Sequence, residues 1–225
     1  MTAVGVVSHK SDLGVRTASA IMMLAIAGLA IWLGGWAFRA LVIVVGLGVL
    51  WEFWGLARSL SKAGIGRLLW MAGGLFYVAG ACLALLSMGA REALWPIAIV
   101  IGTDIGAYFT GRTIGGPKIA PAISPSKTWS GLLGGMAGAA MVGVALAWIR
   151  VGPDGLVIQA VAVMGAVLAV AAQAGDFFES WMKRRAGVKD SSALIPGHGG
   201  LFDRVDGLLP VALLTGILAY WGQGV

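Results

Sequence analysis

Long uncharged apolar runs recur along this chain, separated by short stretches that hold most of the polar groups. A helix needs about 20 mostly apolar residues to cross a bilayer. Runs of that kind fall at about 18–36, 38–57, 68–88, 93–111, 130–149, 156–175 and 207–222. The pattern predicts an all-α polytopic membrane protein with about seven transmembrane helices. Residues 1–92 read as membrane helices for packing. Residues 93–225 read as the part that carries the chemistry, with polar loops at 112–129 and 176–206.

Composition sharpens this picture. Apolar residues make up 59% and charged residues 12%, which excludes a soluble helical protein with a large core. Of the 16 lysines and arginines, only Arg39, Arg91 and Arg150 fall on one side of the predicted spans. Positive charge collects on the cytoplasmic side. The N-terminus is therefore expected in the cytoplasm and the C-terminus outside. The ten tryptophans fall near the two predicted boundaries, as an interfacial belt does. Trp32 and Trp36 stand where a signal peptidase would need small residues, so the first span reads as an anchor. The net charge of +6 is orientation and attraction to anionic lipid, not nucleic-acid binding. Cys82 is the single cysteine, so no disulfide framework exists. Gly131/Gly135 and Gly134/Gly138 read as small-residue pairs for close helix packing. No repeat or inverted pair of halves is visible, which argues against a transporter.

Charge reappears abruptly after the sixth span. Five acidic residues (Asp176, Glu179, Asp190, Asp203, Asp206) and five basic ones (Lys183, Arg184, Arg185, Lys189, Arg204) lie between Asp176 and Asp206. A surface that merely attracts anions has no use for five carboxylates. Divalent metal held by carboxylates, with phosphates gripped by cations, needs both signs together. If the sixth helix continues, Asp176, Ser180 and Lys183 share one face. Gly197-His198-Gly199-Gly200 is a flexible loop whose N–H groups can approach an anion. Asp203 and Asp206, with Asp176, can supply oxygens to Mg²⁺, and Arg204 suits a bidentate phosphate contact. Ser124-Pro-Ser126-Lys127-Thr128 can place an ammonium and hydroxyls on phosphates, although it lacks Walker spacing. Asp104 lies inside an apolar span, where a carboxylate serves function; structural pairing with Arg112 is the rival reading. Glu52 reads as a helix-end partner of Arg58.

Spaced without a gap, Ser180-x-x-Lys183-Arg184, Lys189-Asp190, Pro196-x-His198-Gly199-Gly200 and Asp203-Arg204-x-Asp206 resemble the signature of the phosphatidate cytidylyltransferases, or CDP-diacylglycerol synthases. A second block resembles the same family: Thr103-Asp104-x-Gly106-Ala107-Tyr108-Phe109-x-Gly111-Arg112, Gly115-Gly116-Pro117-Lys118 and Ile123 to Thr128. The opening hairpin is a weaker likeness, with Gly34-Gly35-Trp36 and Glu52-Phe53. The chain departs from the family in being shorter than typical members and in having Ile105 where threonine is commoner.

The resemblance implies transfer of CMP from CTP to phosphatidic acid, giving CDP-diacylglycerol and pyrophosphate in phospholipid biosynthesis. It implies Mg²⁺, a potassium site, a homodimer, and an active site facing the cytoplasm of an inner membrane. Asp176, Asp203 and Asp206 carry over as metal-site residues. Lys183, Arg204 and His198 join them as catalytic candidates. Ser180, Arg184, Lys189, Asp190, Gly199, Gly200, Ser124, Ser126, Lys127, Thr128, Asp104, Arg112 and Lys118 are the substrate-binding candidates.

The expected nucleophile is a phosphate monoester with a second pKa of about 6, so no general base is needed. His198 then reads as a donor to phosphate. A CTP-dependent polyprenol or lipid kinase is the nearest rival, and a cation transporter or channel the more distant one.

Overall fold

The computed structural model describes residues 9–61 and 64–222, and every regular element in them is helical. The order is α1 (His9–Leu33), α2 (Gly35–Leu60), α3 (Ile65–Met88), α4 (Ala90–Thr113), α5 (Trp129–Val151), α6 (Gly155–Ala186), α7 (Phe202–Val205) and α8 (Leu208–Gly222). Six of the described helices, α1 to α6, are long and apolar enough to cross a membrane. The seventh expected span is α8, whose 15 residues rise about 22 Å. The protein is an all-helical polytopic membrane protein.

The largest departure from expectation is α6. It does not stop near residue 175 but runs for 32 residues. Asp154 starts it by accepting from the N–H groups of Leu156 and Val157, and Gly187, at φ 73°, ends it in the left-handed region. Its polar end therefore remains helical, and Asp176, Ser180 and Lys183 do share one helix.

Small residues set how closely α4 and α5 approach. A Cβ at Gly106 would strike the Gly134 carbonyl, and one at Gly138 would strike the Gly102 carbonyl. Backbone meets backbone there, as the glycine spacing predicts. The main core crosses the 92/93 boundary. Val49, Phe53, Leu56 and Ala57 of α2 and Val78 and Ala81 of α3 pack with Met182, Phe202, Leu209 and Ala212. Phe202 is fully buried, and its ring lies 5.9 Å from Phe53. Helices α2 and α3 and the polar segment after α6 thus share one hydrophobic interior.

Candidate active site

Two loops converge on the polar end of α6. The first, between α4 and α5, is folded back on itself: Ile119 N–H donates to the Lys127 carbonyl at 3.1 Å and Trp129 N–H to that of Pro117 at 3.1 Å. Thr128 caps α5 by accepting from Gly131 N–H at 3.1 Å. Lys127 is therefore held at a fixed point, and its ammonium pairs with Asp176 and lies over the Phe177 ring. Arg184 of α6 donates to the Ile123 carbonyl at 3.4 Å. Ser124 is buried, and Lys118 donates to the Ser126 carbonyl at 3.3 Å.

A cavity of about 410 Å³ lies between this loop and α4, α5 and α6. Asp104, Tyr108, Arg112, Ser126, Lys127, Thr128, Gln173 and Asp176 line it. Of the two readings of Asp104, pairing with Arg112 is not the one seen. Arg112 donates instead to the Tyr108 hydroxyl at 2.8 Å, and Asp104 borders the cavity.

The second loop runs from Gly187 to Leu201. Here Lys183 bridges two carboxylates, Glu179 at 2.6 Å and Asp203 at 2.5 Å. Asp203 also accepts from Ser191 N–H at 2.9 Å, Ser191 Oγ at 2.9 Å and Gly200 N–H at 2.8 Å. Burial opposes its ionisation. The Glu179 carboxyl, the Lys183 ammonium and the Gly200 and Ser191 N–H groups outweigh that and hold it well below the usual carboxylate range. Asp206 behaves oppositely. Burial, then repulsion from Asp176, pushes it up to about 7, although Gly207 N–H donates to it at 3.0 Å.

Asp176 and Asp206 are brought close by glycines. A Cβ at Gly207 would stand 2.9 Å from Asp176 Oδ1, and one at Gly175 would strike the Asp206 carbonyl. Asp203 is engaged elsewhere, with both oxygens occupied. Among the described residues no three His, Cys, Asp or Glu side chains form a ready metal cluster. The Asp176–Asp206 pair nevertheless suits a divalent cation, because Asp176 raises the cost of ionising Asp206 beside it. Glu179 Oε1, one turn away, is buried without a partner. Two carboxylates completed by substrate phosphates are a donor set that Mg²⁺ accepts.

Residues 59–221 match the sequence model of the Cytidylyltransferase family. The chain belongs to that family. It is 46% identical over 151 residues to a Brucella suis protein named phosphatidate cytidylyltransferase, covering 64% of this chain and 55% of that one. A Pseudomonas aeruginosa protein of the same name is 39% identical over 141 residues, 57% of this chain and 51% of its own. A Rickettsia bellii protein, again so named, is 33% identical over 217 residues, 91% of this chain and 89% of its own. The chain thus spans about half the length of the Brucella and Pseudomonas relatives and most of the Rickettsia one.

Other predicted site residues are more scattered. His198 Nδ1 lies 2.8 Å from the Ser19 hydroxyl of α1, which also donates to the Pro196 carbonyl. Ser180 lies on α6 between Glu179 and Lys183. Lys189, Asp190 and Arg204 are exposed, and Gly199 packs against Asp190 and Asp203. The expected Glu52–Arg58 partnership is wrong. Glu52 is buried, and its four hydrogen bonds come from Ser191, Ser192, Leu201 and Phe202. These donors lie 139 to 150 residues away, beyond the reach of any local pattern. Glu179 stands outside the candidate site residues read from sequence, although its position four residues before Lys183 is a recognisable ion-pair spacing.

Proposed function

We propose that this chain transfers CMP from CTP to phosphatidic acid, releasing pyrophosphate, at the cytoplasmic face of an inner membrane. The observation that carries this reading is the 410 Å³ cavity, where Lys127, Arg112 and Asp176 meet between apolar helices. Family membership and the printed names of the relatives support it.

The charges suit two anions that must approach one another. Lys127 and Arg112 stand where they can bind the phosphates of CTP. Lys183, fixed between Glu179 and Asp203, can neutralise the lipid phosphate or the departing pyrophosphate. A phosphatidate oxygen attacks the α-phosphorus, a P–O bond forms, and the bond to the bridging α–β oxygen breaks. The attacking monoester is already largely ionised near pH 7, so no side chain has to remove a proton. Asp176 and Asp206 would hold Mg²⁺, which when bound supplies charge neutralisation to the phosphates. Positioning and electrostatics carry most of the catalysis in such transfers.

The test is reconstituted protein fed α-labelled or γ-labelled CTP. Label should reach lipid from the α position only. Transfer of the γ label would overturn the proposal in favour of a lipid kinase.

A further inference from the structure

Glu52 lies on α2, outside the residues that match the family model, and is 2% exposed. Its Oε1 accepts from Ser192 Oγ at 2.6 Å and Leu201 N–H at 2.9 Å. Its Oε2 accepts from Ser191 Oγ at 2.9 Å and Phe202 N–H at 2.7 Å. One carboxylate thus takes donors from both ends of the second loop. A carboxylate this buried is costly unless its oxygens are satisfied, so the loop cannot leave without exposing that cost. The fit is close as well as polar. A Cβ at Gly200 would collide with both Glu52 oxygens and the Ser191 hydroxyl. The neighbouring Phe53 packs on Phe202, so consecutive residues of α2 grip the loop by charge and by apolar contact.

The grip leads to the reacting centre. The Ser191 hydroxyl lies 2.9 Å from both Glu52 and Asp203, and Asp203 holds Lys183 at 2.5 Å. Four residues beyond Phe202 the chain reaches Asp206, against Asp176. We infer that Glu52 is a positioning residue of the transfer reaction: through the Ser191–Phe202 segment it sets the places of Asp203, Lys183 and Asp206 without touching substrate. The inference rests on the proposed reaction for its kinetic readout alone.

The test compares full-length wild type, E52Q, E52A and S192A in phosphatidate-containing proteoliposomes, with amide hydrogen exchange on the same samples. Displacing reactive groups by about 1 Å costs on the order of 100-fold in rate. E52A should therefore lose roughly 10- to 100-fold in kcat, with KM for CTP changed less than about two-fold. E52Q, which keeps one carbonyl acceptor, and S192A, which removes one donor, should fall between it and wild type. Amides of 191–202 should exchange faster in E52A while those of α5 keep their protection. Unchanged kcat, unchanged loop exchange, or loss of protection throughout the helices would each overturn the inference. Exchange needs no turnover, so a wild type without cytidylyl transfer would sink the proposed function and leave the loop result readable.

Discussion

Lys183 Nζ and Asp203 Oδ1 lie 2.5 Å apart and join the end of α6 to the short helix α7. The Asp203 side chain is only 4% exposed, so the pair is buried enough to matter to both folding and chemistry. Asp203→Asn should lower stability by roughly 3 kcal/mol by leaving the ammonium poorly matched. It should also reduce turnover at least about 100-fold if Lys183 moves by an ångström. Melting in detergent and labelled-CTP assays read the two effects.

Because the folded protein depresses the Asp203 carboxyl, this group stabilises the fold above the ordinary carboxylate pKa of about 4. That contribution is lost as pH falls further, toward the folded value. Wild-type melting temperature should therefore drop below about pH 4 more steeply than that of Asp203→Asn. Parallel curves from pH 3 to 6 would contradict the assignment.

Asp206 has the reverse sign. With its pKa raised to about 7, it favours the fold most below about pH 4 and loses that contribution as pH climbs through 7. Without divalent metal, Asp206→Asn should melt higher than wild type at pH 8 and closer to it at pH 5, while being inactive. In wild type, added Mg²⁺ should restore stability at pH 8 and release protons near neutrality. Calorimetry in two buffers of different ionisation enthalpy measures that release.

Under the proposed function Lys127 binds nucleotide, so Lys127→Met should raise KM for CTP about 10- to 100-fold, the effect of removing a charge-assisted phosphate contact. Thr128→Ala removes the cap of α5, costs about 1 kcal/mol, and should weaken CTP binding by freeing the lysine. Nucleotide titration with thermal melting separates these two outcomes.

Much of the fold is legible in hydropathy, because lipid-facing and buried helices leave the same uncharged runs that mark the spans. The motif residues Asp176, Lys183, Asp203 and Asp206 could also be picked out, because charge is scarce elsewhere. Their partners could not. Glu52 takes its donors from 139 to 150 residues away, and nothing near it in the chain announces that. Asp203 illustrates a second limit: spacing shows that a carboxylate is present but not that three loop donors and Lys183 already occupy it. The continuation of α6 escaped hydropathy for a simpler reason. Polar residues end an apolar window without ending a helix, and only Gly187 does that.

At 32 residues α6 is about 48 Å long, well beyond the roughly 30 Å of hydrocarbon it has to traverse. Its surplus turns form a jetty that carries Asp176 and Lys183 to the water's edge on a rigid post. Under the proposed reaction, a lipid docking there offers its headgroup to a water-borne nucleotide while its tails stay in oil.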